Sequence, residues 1–261
     1  MAPLSNELRN LLERTVVQAR EAAEDAAREV VRRLAVDRPE APRGIGPDER
    51  RLRNALRSRA RQLGNGIVSD GLQPLIEEIA YEQWHRMLFA RFLAENGLLV
   101  HPLGVPVTIA ECEELAPEEG EPDAWALAAR YASQMLPGIF RADDPAVQVR
   151  FAPEGRITLE RLLMGLPATV FHAEDALGWC YQFWQTKKKA EVNRSERRIG
   201  GKELPAVTQL FTEHYMVRFL LENTLGAWWI TRHSESPLRE ELSYLRVRDD
   251  GTPAAGTFPD W

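Results

Sequence analysis

Leu204-Pro205-Ala206-Val207-Thr208-Gln209-Leu210-Phe211-Thr212-Glu213-His214-Tyr215-Met216-Val217-Arg218-Phe219-Leu220-Leu221-Glu222-Asn223-Thr224-Leu225-Gly226 is the stretch on which the reading of this chain turns. It is a polar turn that feeds an amphipathic helix. Pro205 restricts the approach to extended or turn geometry. Thr212 is the expected N-cap, its hydroxyl placed to accept an early helical N–H, and Glu213 then lies where the helix dipole favours an anion. Met216, Phe219, Leu220, Asn223 and Ala227 fall on one face at helical spacing, and Gly226 lies near the end.

Just upstream, residues 174–192 predict a helix that begins with acids and ends with Lys187-Lys188-Lys189, the order a helix dipole prefers. Leu177, Cys180, Tyr181 and Trp184 form its apolar side. Residues 193–202 then make a polar, Gly-Gly-containing loop. There Lys187, Lys188, Lys189, Arg194, Arg197, Arg198 and Lys202 outnumber Glu191 and Glu196. Such a loop either clamps DNA phosphates, with salt-sensitive affinity, or is a solvated connection.

Further toward the N-terminus the pattern stays helical. Leu8, Leu12, Val16, Ala19, Ala23, Ala26, Val30 and Leu34 recur every three or four residues through 4–35. That narrow alanine-rich stripe suits a bundle helix or a coiled-coil contact with a partner chain. Residues 37–47 are a Pro/Gly linker, and 48–63 resume a helix whose arginines point around it, which suits a solvated face more simply than a phosphate-contacting ridge. Gly64-Asn65-Gly66 stops it. Residues 72–99 are the apolar centre of this half, ended by Asn96-Gly97. On that helix His85 is a ligand, a general base or, more simply, a structural side chain. Thr108 and Glu111 spell a capping box, Asp123 caps a helix over 124–136, Pro153 and Gly155 interrupt the chain, and 159–166 form a short helix. No period-two run of β-branched residues occurs; Val105-Pro106-Val107 is short and proline-broken.

Three blocks carry a family resemblance. Thr208-Gln209-Leu210-Phe211-Thr212 followed by an aliphatic helix resembles the first conserved motif of DNA methyltransferases that modify the exocyclic amino group of adenine. The longer match over 204–228 is similar to the large adenine methyltransferases of BREX and phage-growth-limitation defence systems and to related type IIG restriction–modification methylases. Glu78-Ile79-Ala80-Tyr81-Glu82-Gln83-Trp84-His85-Arg86-Met87-Leu88-Phe89-Ala90-Arg91-Phe92-Leu93-Ala94-Glu95 looks like the helix that precedes their methylase domain, with Trp84-His85-Arg86 where the family has an aromatic and an Asn-Arg pair. Ala176-Leu177-Gly178-Trp179-Cys180-Tyr181-Gln182-Phe183-Trp184-Gln185 resembles the family's Leu-Gly-Trp-x-Tyr-Gln element. Glu213 stands where the family usually has proline.

The resemblance implies a mainly α chain, an N-terminal multi-helix domain leading into the first motif of a Rossmann-like methyltransferase domain that is not included. Residues 1–66 would be long helices with a Pro/Gly linker, 67–200 a helical domain, and 201–261 the start of the methyltransferase domain, with 249–261 as the lead-in to its first catalytic strand. It implies that Thr208, Gln209, Phe211 and Thr212 form one wall of an S-adenosylmethionine pocket, with Thr212 near the amino-acid end of the cofactor and Phe211 packed nearby. The family's Asp-Pro-x-x-Gly-Ser-Gly cofactor loop and Asn-Pro-Pro-aromatic catalytic loop are absent, so no catalytic residue is expected in this chain. By itself it should not methylate DNA.

Composition sets the outer limits. The 261 residues are 44% hydrophobic and 28% charged, proportions of a globular protein. No apolar run approaches the ~20 residues that span a bilayer, and the N-terminus has no apolar signal core. Cys112 and Cys180 stand alone, which points to a reduced, cytoplasmic protein without a disulfide framework or a zinc site. Net charge is −6, residues 111–123 carry only acids among their charged residues, and the lysines are confined to Lys187, Lys188, Lys189 and Lys202. The expected partners are double-stranded DNA, other defence-system proteins or a second chain carrying the catalytic motifs, and no membrane. Two other readings compete: a non-catalytic helical scaffold of a defence complex, and a DNA-binding module that acts through Lys187–Lys189.

Overall fold

A computed structural model of the chain describes residues 3–195, 200, 207–208 and 211–255. Those residues are mainly helical and contain no strand. Their β pairing is confined to two isolated bridges, Val100 with Pro106 and Val247 with Pro253. The chain divides into two compact units, Met1–Arg198 and Ile199–Trp261.

The first unit opens with α1 (Asn6–Arg33), capped by Ser5, whose hydroxyl accepts the Leu8 amide at 3.3 Å. The stripe expected from the sequence is the buried one: Leu12, Val16, Ala19, Ala23, Ala26 and Val30 face the core. The helix closes with a Schellman arrangement. Ala35 turns left-handed at φ 46°, its N–H donates to Arg32 O at 3.0 Å, and the Val36 N–H donates to Val31 O at 3.1 Å.

α2 (Pro47–Leu63) and α3 (Val68–Glu95) form a helical hairpin across a short turn. Their backbones touch where glycine allows it: a Cβ on Gly71 would lie 1.8 Å from the Ala60 carbonyl oxygen. After them come α4 (Ile109–Leu115), α5 (Ala124–Met135), α6 (Pro137–Phe140), α7 (Pro145–Gln148), α8 (Pro153–Met164), α9 (Ala168–Phe171) and α10 (Ala176–Ser195). α3 is the axis, packed against α1, α2, α5, α7, α8 and α9. Accordingly Leu75, Ile79, Trp84, Leu88 and Leu93 are buried around much of its circumference. The Thr108/Glu111 capping box and the Asp123 cap are both made. Pro153, expected as an interruption, instead occupies the first position of α8, where its missing N–H would have no helical acceptor anyway.

Arginines stitch the elements together, which corrects the expectation that those of α2 form only a solvated face. Arg53 of α2 is buried, and its Nε donates to Leu34 O at 3.0 Å and its Nη2 to Ala35 O at 3.1 Å, closing the carbonyl end of α1. Arg57 adds Val36 O at 2.7 Å. Arg91 of α3 does the same for α8, donating to Leu166 O at 2.8 Å and to Leu163 O, with its guanidinium 4.6 Å from the Phe171 ring centroid. Arg20 of α1 reaches the Trp184 carbonyl of α10 and pairs with Glu24 at 2.6 Å. A planar fork with five N–H donors can serve several carbonyls at once, which an ammonium cannot match geometrically.

In the second unit, α11 (His214–Leu221) runs into a π-helical turn (Glu222–Gly226), then α12 (Ala227–Arg232) and α13 (Leu238–Glu241).

Candidate functional site

Thr208 sits in a short helical turn and is exposed; Phe211 is half-buried and Thr212 exposed in the extended approach to α11. Gln209 lies outside the described residues, as do Arg197, Arg198 and Lys202. The cap falls one residue later than expected. Glu213, not Thr212, is the N-cap of α11: its backbone is extended (φ −59°, ψ 143°) and its carbonyl accepts the Met216 and Val217 amides at 2.9 and 3.3 Å.

The apolar face expected along 216–227 is not buried. Within the second unit no residue of α11 is buried, and Leu220 is 60% exposed, the most of the helix's large apolar side chains. Burial begins only at the π-helical turn and beyond it, at Glu222, Gly226, Ala227 and Ile230, so of the expected face Ala227 is buried while Met216, Phe219 and Leu220 are exposed.

Glu222 and Asn223 tie this helix to the segment that returns past it. Glu222 is buried, accepts Arg218 Nε at 2.9 Å and also takes the Tyr244 amide. Asn223 Nδ2 donates to Phe219 O at 2.9 Å and Tyr244 O at 2.8 Å, while its Oδ1 accepts the Arg246 amide at 2.9 Å. Arg218 lies 5.5 Å from the Tyr244 ring centroid and donates to Glu241 O at 3.0 Å. The return segment then folds into a tight turn, Arg248 N to Thr252 O at 2.8 Å, with Gly251 at φ 79°. The sequence marks Asn223 only as part of a motif; its bonds to the Tyr244 carbonyl and the Arg246 amide were not visible there, because both lie more than twenty residues downstream.

The basic run is distributed along α10. Lys187 pairs with Glu24 at 3.1 Å and Lys188 with Glu77 at 3.3 Å. Lys189 is half-buried, and Arg194 is exposed with its Nε on Ala190 O at 3.2 Å. Burial works against the charge of Glu24, yet Arg20 and Lys187 outweigh it and hold the carboxyl below its usual range. Two of the resembling blocks meet in this unit: Trp84 stacks on Trp184 with centroids 4.5 Å apart. His85 stacks on Tyr81 at 5.2 Å, and burial, helped by Arg141, pushes its pKa down, so it packs as a neutral ring. Cys112 and Cys180 are buried free thiols, pushed up by burial to about 11 and about 12. No group of three His, Cys, Asp or Glu among the described residues is arranged to hold a metal ion.

Comparison with known proteins agrees with the sequence resemblance. The chain is 27% identical over 216 residues to the adenine-specific methyltransferase BrxX of Escherichia coli O9:H4 (strain HS), covering 70% of this chain and 18% of that protein. It is 26% identical over 227 residues to the adenine-specific methyltransferase PglX of Lacticaseibacillus casei (strain Zhang), covering 71% of this chain and 19% of that one. No family model and no solved structure matches. The chain thus spans less than a fifth of the length of the curated relatives it matches, and the similarity supports a region of a BREX-type adenine methyltransferase.

Proposed function

We propose that this chain is the N-terminal part of an S-adenosylmethionine-dependent, adenine-specific DNA methyltransferase of a phage-defence or restriction–modification system. The observation that carries the reading is its similarity, over about 70% of its length, to two adenine-specific methyltransferases. Residues 201–261 open the methyltransferase domain, and Thr208, Gln209, Phe211 and Thr212 form one wall of the cofactor pocket. The side chains in view suit a wall and not a whole pocket: Thr208 and Thr212 are exposed residues, and Phe211 is half-buried. S-adenosylmethionine supplies the methyl group. This chain supplies contact and orientation, a role worth much of a transfer barrier because it fixes the reacting geometry in advance. The exposed apolar side of α11 fits burial against the domain that carries the glycine-rich and Asn-Pro-Pro-aromatic loops. Duplex DNA is the substrate, with other defence-system proteins as partners. Among the described residues no helix is long and apolar enough to cross a membrane.

The test joins the chain to a catalytic domain bearing those two loops and follows methyl transfer from labelled S-adenosylmethionine to duplex DNA. Phe211→Ala and Thr212→Val are expected to raise the KM for the cofactor about 10-fold or more while changing kcat less. Unchanged cofactor KM in both variants would remove residues 208–212 from the pocket, and no activity in the joined protein would remove the enzyme reading.

A further inference from the structure

A cavity of about 600 Å³ opens in the helical unit between α3, α5 and the segment that links α7 to α8. Its size is that of a small-ligand site. Trp125, Phe140, Phe151 and Met87 give it an apolar wall.

Four arginines line it, and they are not equivalent. Arg130 is paired with Glu119 and with Glu121 at 3.0 Å; Arg156 is paired with Glu160 and, at 3.7 Å, Asp123. Their charge is met inside the protein. Arg86 is different. Its Nη1 donates to Val147 O at 3.1 Å, its Nε is sealed from solvent with no partner, and no carboxylate among the described residues is within ion-pairing distance. The acids that act on it from farther away are already engaged, Glu82 with Arg141 and Asp123 with the Ala126 amide at 2.8 Å and with Arg156. Arg150 stands exposed at the rim and makes no ion pair. A half-buried guanidinium with a sealed, unpartnered Nε and no anion is an unmet demand, and a bound anion is the general way of meeting it.

We propose that this cavity binds a nucleoside monophosphate unit, its phosphate between Arg86 and Arg150 and its base against the Trp125 and Phe151 rings. Paired guanidinium forks favour phosphate geometry, and an aromatic wall accepts the face of any base. The unit is either a free nucleotide or an unpaired nucleotide of a DNA strand. The site lies wholly in the first unit and does not depend on the cofactor wall, so either proposal can fail alone.

The test is calorimetric titration of the full chain with deoxyadenosine monophosphate, deoxyadenosine and inorganic phosphate. The nucleotide should bind at least 10-fold more tightly than the nucleoside or phosphate alone. Arg150→Ala, at the exposed rim, should weaken nucleotide binding about 10-fold with the circular dichroism spectrum unchanged, and Trp125→Leu should weaken it with phosphate binding unaffected. Arg86→Gln should abolish it. A short single-stranded oligodeoxyadenylate that binds more tightly than the mononucleotide assigns the site to a strand; equal affinity assigns it to the free nucleotide. No nucleotide binding, phosphate binding as tight as the nucleotide, or affinity indifferent to Arg150→Ala would each overturn the proposal.

Discussion

Arg53 closes α1 from the outside: its Nε donates to the Leu34 carbonyl at 3.0 Å, nineteen residues back along the chain, and the same guanidinium continues to Ala35 and Glu40 O. The last carbonyls of the 28-residue helix take the amides of its Schellman turn, and the carbonyls just past it, Leu34 and Ala35, are met by a side chain of the next helix.

Replacing Arg53 with methionine leaves those carbonyls buried and unmet. The expected loss is about 2–4 kcal/mol in urea unfolding, and Arg53→Lys should recover less than half because an ammonium cannot reach all of the oxygens at once. An effect below about 0.5 kcal/mol would mean that water replaces the fork.

Gly71 tests the contact between α2 and α3. An added Cβ meets the Ala60 carbonyl oxygen at 1.8 Å, and since both are backbone the hairpin itself must open. Gly71→Ala is expected to cost at least about 3 kcal/mol. At Gly138 nothing lies within 4 Å of the added carbon, so Gly138→Ala should be neutral or raise stability by up to about 1 kcal/mol.

Glu24 predicts an acid limb. Its folded pKa lies below the unfolded value near 4.5, so its contribution is complete above that pH and disappears as the pH falls through the lower folded value. Glu24→Gln leaves Arg20 without its buried counter-charge and should lower stability at pH 7 by roughly 3 kcal/mol. It should also flatten the decline seen below about pH 4.5. Urea midpoints measured across that range decide it; an unchanged acid limb would exclude the linkage.

Asn223→Ala should release the return segment while leaving the helices in place. Hydrogen exchange at the Arg246 amide, now bonded to Asn223 Oδ1 at 2.9 Å, is expected to accelerate about 10-fold or more, with amides in α1 unaffected.

What could be read in advance was what is local. The Thr108/Glu111 box, the Asp123 cap and the Leu12-to-Val30 stripe each join residues within a few positions, where a pattern and its cause coincide. Arg53 looked like surface charge because the carbonyls it serves are 13–19 residues away. The partners of Lys187 and Lys188 were out of sight for the same reason, Glu24 and Glu77 lying 163 and 111 residues off. The face drawn from Met216 to Ala227 is buried only at its far end, at Ala227, and the π-helical turn at 222–226 had no proline or glycine pair to announce it. The cofactor wall was legible only as a family resemblance, since exposed threonines and a half-buried ring carry no chemistry of their own.

The seam between α1 and α10 also bears on how the protein is made. Arg20 and Trp184 are 164 residues apart in sequence, yet the Arg20 guanidinium is buried by that carbonyl. At ribosomal speeds α1 waits roughly 10–30 s between its own emergence and that of the helix that covers it. During that interval an alanine stripe, less adhesive than one of leucine or phenylalanine, is the face the nascent chain shows to its surroundings.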